Sequence, residues 1–104
     1  MKVYISGPIT GVLDLNRAAF DLAAAYLEAR GDAPVNPLSL QVAFMREAEW
    51  ADYMRVDIRA LLDCEGILVL PGWEGSRGAC LEVMIARELG MRFTFMPLDF
   101  PAKC

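Results

Sequence analysis

The 104-residue sequence contains no histidine and only three cysteines, Cys64, Cys80 and Cys104. The absence of histidine excludes Ser-His-Asp and Cys-His nucleophile systems, histidine general bases and most catalytic zinc sites. The three cysteines form no CxxC pair, so the sequence predicts no metal site. Any acid–base chemistry must use Asp, Glu, Tyr, Cys, Lys or Arg.

Positive charge is also scarce. Lys2 and Lys103 are the only lysines, the eight arginines are scattered, and the formal net charge is −4. Proteins that bind the backbone of a nucleic-acid polymer need a basic surface, so we expect no such partner. A small phosphorylated ligand is still compatible with this charge, because backbone amides can hold it.

Long hydrophobic runs are missing as well. No stretch approaches the roughly 18 apolar residues of a membrane span, so we expect no membrane partner. The apolar run at residues 3–5 is too short for a signal peptide. Together with the odd number of cysteines, this favours a cytoplasmic protein.

Strand-like and helix-like segments alternate along a chain that is 56% hydrophobic. This alternation predicts one domain over residues 1–104, of α/β class. We expect a small three-layer, doubly wound domain with a four- to five-stranded parallel sheet, of flavodoxin or Rossmann type. Residues 38–48 fit no element clearly. The predicted strands lie at 3–5, 33–37 (with the following loop), 66–70 and 93–95, and the predicted helices at 14–30, 50–63 and 79–89.

Glycine-bearing loops follow two of the predicted strands, at residues 7–11 and 71–78. In parallel sheets, ligands bind outside the carboxyl ends of the strands. The two loops therefore predict a ligand site at this edge. The turn at residues 75–78 resembles an anion-holding turn, although many strand–helix turns contain two glycines.

Two carboxylates interrupt apolar helix faces. Glu82 shares a helical stripe with Ile85 and Leu89, near the start of its predicted helix, where the helix dipole favours the ionised form. An ordinary glutamate of an N-terminal turn fits the same position. Asp57 lies at the edge of another apolar stripe, where a solvated salt-bridge residue also fits. Only a pairing of Asp57 with Glu82 would indicate a shared site, in which two carboxyls divide nucleophile and proton-donor roles.

Other chemically interesting residues have structural explanations. Tyr4 lies within a predicted strand and fits a core position, with its hydroxyl near the loop edge. Trp50 and Trp73 fit packing positions or pocket walls. Cys80 has no neighbouring base in the sequence, which favours a structural role.

The segments 4–11, 50–57 and 70–82 together resemble the nucleoside 2-deoxyribosyltransferase-like superfamily, in particular its short bacterial and phage branch. The resemblance covers nearly the whole chain in matching order. It implies that Glu82 is the nucleophile that attacks the anomeric carbon of the sugar and forms a glycosyl-enzyme intermediate. It implies that Asp57 assists the leaving base and that Tyr4 orients the nucleophile.

The resemblance also assigns the substrate-binding loops. The first loop, which encloses sugar and base, comprises Gly7, Pro8, Ile9, Thr10 and Gly11. Thr10 stands where the monophosphate hydrolases of the family carry an arginine. Ser76 and Gly78 match the second loop, which holds the 5′-phosphate in that branch. Arg77 is expected to bind substrate in place of the missing arginine, and Trp73 is expected to do so as a pocket wall.

From the resemblance we expect an enzyme that cleaves or transfers the N-glycosidic bond of a (deoxy)nucleoside or its 5′-monophosphate, without a cofactor. We also expect a homodimer or larger homo-oligomer. One alternative is a non-catalytic nucleotide-binding or sensor module that retains the pocket. Another is an interaction protein whose apolar helix faces mediate assembly.

Overall fold

Four parallel strands form the sheet in the computed structural model, which describes residues 1–9, 13–40 and 49–96. Their order in the sheet is β2-β1-β3-β4, and every neighbouring pair is parallel. The predicted α/β fold with a parallel sheet is therefore confirmed. The strands are β1 (Lys2–Ser6), β2 (Ala33–Val35), β3 (Gly66–Val69) and β4 (Arg92–Phe95).

The helices are α1 (Arg17–Ala29), α2 (Pro37–Leu40), α3 (Trp50–Leu62) and α4 (Arg77–Glu88), with 3-10 turns at Leu13–Asn16 and Trp73–Gly75. Part of the segment that fitted no predicted element is thus the short helix α2. Within the described parts of the chain, no helix is both long and apolar enough to cross a membrane.

Two helices begin at positions that differ slightly from the prediction, for local reasons. Helix α4 starts two residues earlier than expected, because the Ser76 hydroxyl accepts a hydrogen bond from the Ala79 amide and caps the helix. Asn16 precedes α1 but makes no capping bond. Its side-chain amide instead donates to the Pro8 carbonyl at 3.0 Å and ties the loop after β1 to the start of α1.

Both faces of the central strands are covered, which explains their continuous apolar sequences. One face carries a cluster that includes Val3 and Ile5 of β1 and Phe20 and Leu27 of α1. On the opposite face, a second cluster contains Tyr4, Ile67, Leu61, Val83 and Ala86, from β1, β3, α3 and α4. The molecule is therefore a three-layer, doubly wound domain.

After β1, the chain adds β2 on one side of it. The chain then returns and adds β3 and β4 on the other side, so the direction in which strands are added reverses between β1 and β3. Such a reversal opens a crevice at the carboxyl ends of the two strands, where ligands bind in this class of fold. The loops after β1 and β3 border that crevice.

Gly7 packs directly against the chain that continues from β3. A Cβ atom added at Gly7 would lie 2.7 Å from the Cβ of Leu70, closer than real side chains approach. Only glycine lets the two segments come this near.

We expect Gly7→Ala to lower the free energy of unfolding by about 1–3 kcal/mol, because the added methyl group forces Leu70 away. Urea denaturation measures this. Gly75→Ala is the matched control, since nothing lies within 4 Å of a Cβ at that position, and it should change stability by less than about 0.5 kcal/mol. Equal effects of the two substitutions would contradict the close packing at Gly7.

Candidate functional site

A cavity of about 540 Å³ lies at the crevice between β1 and β3. Its size is typical of a small-molecule site. The loop after β1, the turn before α1, one face of α3 and the start of α4 all contribute to its wall. The described lining residues are Gly7, Ile9, Leu15, Trp50, Tyr53, Met54, Asp57, Gly75, Ser76, Arg77, Gly78, Ala79 and Glu82.

Glu82 lies at the inner wall of this cavity and is only 4% exposed. The Tyr4 hydroxyl donates to Glu82 Oε2 at 2.7 Å, and the Ser6 hydroxyl donates to Glu82 Oε1 at 2.7 Å. Tyr4 and Ser6 are two residues apart on β1, so their side chains point to the same face of the sheet. Each oxygen of the carboxyl group is thus held by a hydroxyl from one strand.

Burial raises the pKa of Glu82 from its ordinary value of 4.5 to about 7. The hydrogen bonds from Tyr4 and Ser6 lower it, and the charge of Asp57 raises it further. Glu82 is the sixth residue of α4, in the second helical turn, so the helix dipole acts on it less than its expected position near the helix start implied. Desolvation, rather than the dipole, dominates its ionisation.

Tyr4 supports Glu82 from behind the cavity wall. Its side chain is fully buried. Burial, followed by the charges of Glu82 and Asp57, holds the pKa of Tyr4 well above its ordinary value of 10. Tyr4 therefore keeps its proton and remains a hydrogen-bond donor to Glu82 at neutral pH.

Asp57 lines the same cavity as Glu82 and is also only 4% exposed. By contrast, Arg55 and Asp52 on α3 form an exposed salt bridge, with 3.3 Å between their charged groups. Since the charge of Asp57 raises the pKa values of both Glu82 and Tyr4, the two carboxyls act on each other electrostatically. The structure therefore brings Asp57 and Glu82 to one site.

The start of α4 forms the other wall. The Ser76 hydroxyl lines the cavity while it caps the helix. The Arg77 guanidinium lies 3.6 Å from the centroid of the Trp50 ring, a cation–π contact that links the first residues of α4 and α3. A Cβ at Gly78 would lie 3.1 Å from the Met54 sulfur, so these two helices approach closely beside the site.

Two expected binding residues, Pro8 and Trp73, are not among the described lining residues. Thr10 and Gly11 are outside the described residues. Pro8 is next to the cavity but does not line its described wall, and its carbonyl accepts the bond from Asn16. Trp73 packs against the core cluster around Tyr4 rather than lining the described wall.

The sequence prediction missed Ser6 and, on the α3 wall, Tyr53 and Met54. Trp50, Tyr53, Met54 and Asp57 are spaced i, i+3, i+4 and i+7, which places them on one face of α3. That spacing was a usable signal for the wall, and the alternation of Tyr4 with Ser6 was a usable signal for the second hydroxyl. The prediction also did not include the wall residues Leu15, Gly75 and Ala79. Leu15 has a left-handed backbone (φ 57°), which the sequence does not indicate.

No group of three or more His, Cys, Asp or Glu side chains within the described ranges is arranged to hold a metal ion. The site instead offers two buried carboxyls on a cavity that fits a small molecule, with the Ser76 hydroxyl and the Arg77 guanidinium on the same wall. These groups can supply a nucleophile and a proton donor.

A family model described as a domain of unknown function (DUF4406) matches residues 1–95. The match spans the four described strands and the described residues that line the cavity. No curated protein matches the chain.

We expect the stability of the protein to fall as the pH rises from about 4.5 to about 7, because unfolding releases Glu82 to ionise at its ordinary pKa. The loss attributable to Glu82 is about 3 kcal/mol at pH 8. Below pH 4.5, Glu82 is protonated in both states and contributes nothing to the pH dependence. Denaturant unfolding across pH 4–8 measures the effect.

Glu82→Gln should remove this component, so that the variant gains stability relative to the wild type as the pH rises. Glu88→Gln, on the exposed side of the same helix, is the control and should follow the wild-type curve. If the wild-type and Glu82→Gln curves stay parallel, the carboxyl does not carry a raised pKa.

Proposed function

The chain belongs to the DUF4406 family, and from the geometry of its cavity we propose that it cleaves or transfers the N-glycosidic bond of a (deoxy)nucleoside or its 5′-monophosphate. One observation carries the proposal. The buried Glu82 carboxyl, held by two hydroxyls at 2.7 Å, faces a cavity that it shares with the buried Asp57. The resemblance of segments 4–11, 50–57 and 70–82 to the nucleoside 2-deoxyribosyltransferase-like superfamily supports the same chemistry.

In the first step, an oxygen of ionised Glu82 attacks the anomeric carbon, and the bond between that carbon and the base nitrogen breaks. The electron pair of the broken bond stays on the base, which takes a proton that Asp57 supplies or organises. The sugar is left as an ester of Glu82. This is the retaining scheme of glycosidases applied to an N-glycosidic bond.

In the second step, water attacks the anomeric carbon of the ester and gives its proton to Asp57. The bond to Glu82 breaks and the carboxylate is restored. A second base that attacks in place of water yields a new nucleoside. The same two carboxyls therefore serve a hydrolase or a transferase, and no cofactor enters either reaction.

Different walls of the cavity suit the base and the phosphate of such a substrate. Asp57 lies on the same face of α3 as Trp50 and Tyr53, so a base that receives its proton lies against two aromatic side chains. Ser76, Arg77 and Gly78 are on the opposite helix, where the resemblance places the 5′-phosphate. The resemblance further supports a homodimer or larger homo-oligomer, and the odd number of cysteines supports a cytoplasmic location.

Glu82→Gln should reduce the release of free base by at least about 10³-fold, since the amide cannot form the glycosyl ester. Asp57→Asn should slow release strongly, most for bases that leave poorly without a proton. Chromatography of reactions with a panel of nucleosides and 5′-monophosphates measures both. Acid quenching and peptide mass spectrometry should find the sugar on Glu82.

The matched controls are Glu88→Gln and Asp63→Asn, which change exposed carboxyls near the ends of α4 and α3. Both should retain the wild-type rate. Ligand-induced thermal stabilisation without base release from any compound of the panel would refute the enzyme and identify a binding module instead.

We also expect kcat/KM to rise about tenfold per pH unit below pH 7, because attack requires ionised Glu82, whose pKa is about 7 in the unliganded site. Initial rates between pH 5 and 9 measure this profile. A profile that falls across this range would assign Glu82 the role of proton donor instead of nucleophile.

A further inference from the structure

Ser6 makes the second of the two hydrogen bonds that hold the Glu82 carboxyl group. Its side chain is fully buried at the end of β1, and its hydroxyl lies 2.7 Å from Glu82 Oε1. The Tyr4 hydroxyl occupies the other oxygen at the same distance. Tyr4 therefore holds only one of the two oxygens, and Ser6 holds the other.

Two contacts constrain the carboxyl group in a way that one cannot. A single hydrogen bond to Oε2 leaves the group free to turn about the bond that joins it to the side chain. A second bond to Oε1 fixes the plane of the group. Both donors belong to β1, which is paired with β2 on one side and β3 on the other, so the centre of the sheet sets their positions.

The hydrogens of this arrangement match an ionised carboxylate. The Tyr4 and Ser6 hydroxyls each donate their single hydrogen to a different oxygen of Glu82. A hydrogen bond to a carboxylate is stronger than one to a neutral carboxylic acid. The two hydroxyls therefore favour the charged form against the cost of burial.

Few other charged groups act on Glu82. Asp57 on α3 opposes its ionisation, Tyr4 on β1 stays neutral, and Arg77 at the start of α4 lines the same cavity. Serine does not titrate in the working range of pH. The effect of Ser6 is therefore constant across a pH profile and can be measured as a displacement of that profile.

We propose that Ser6 is a positioning residue, which together with Tyr4 holds the Glu82 carboxylate in its attacking orientation and in its ionised form. The inference rests on the proposed function for the role of Glu82 as nucleophile. The contact between Ser6 and Glu82 can be tested without any turnover.

The direct test follows Glu82 by carbon-13 NMR of the full chain labelled at glutamate carboxyl carbons, with the Glu82 signal identified by its loss in Glu82→Gln. Ser6→Ala should raise the midpoint of the Glu82 titration by about one pH unit, because a hydrogen bond to the charged form is lost. Ser6→Cys keeps a weaker donor of similar size and should raise it by less. Ser39→Ala, at an exposed serine of α2, should leave it unchanged.

In base-release assays, the rise of kcat/KM with pH should move upward by the same amount in Ser6→Ala, with a lower kcat and little change in KM. A Glu82 midpoint that stays at the wild-type value in the folded Ser6 variants overturns the inference, even if base release is intact. A wild type that releases no base refutes the proposed function instead, and the NMR midpoint still decides whether Ser6 controls Glu82.

Discussion

The burial of one carboxyl group, that of Glu82, is the constraint on which the site depends. An ionised carboxyl is poorly stabilised away from water, and the fold compensates with two hydroxyl donors from β1. Those donors keep their places only because β1 lies between two other strands and is covered by helices on both faces. The apolar core and the polar site are thus parts of one arrangement.

The second carboxyl makes that arrangement chemically useful. Asp57 reaches the cavity from α3, whereas Glu82 reaches it from α4, so two helices of one layer bring two acids to the same crevice. Their mutual repulsion makes it harder for both to be charged together. One ionised and one protonated carboxyl is the state that a nucleophile and a proton donor require.

Much of this could be predicted from the sequence. Continuous apolar strands that alternate with amphipathic helices are sufficient for a parallel three-layer domain. Glu82 and Asp57 were detectable because a carboxylate on an apolar helix face needs an explanation. Periodicity shows which residues share a face but not what that face contacts, so it did not mark Tyr53 and Met54 as parts of a cavity wall. Ser6 was missed because its role depends on a glutamate 76 residues away. The sequence suggested that the helix dipole favours ionised Glu82, whereas burial raises its pKa, and burial depends on the packed structure.

The elements around the cavity differ in how firmly the fold holds them. The groups that grip Glu82 sit on the central strand, whose backbone opens only when the whole sheet opens. The outer wall is built from helix ends and loop residues, such as Trp50, Arg77 and Leu15, which are partly or largely exposed. Local fraying of these peripheral parts has a much lower free-energy cost than opening of the sheet. Local opening of the rim would therefore leave the Glu82 carboxyl in its place.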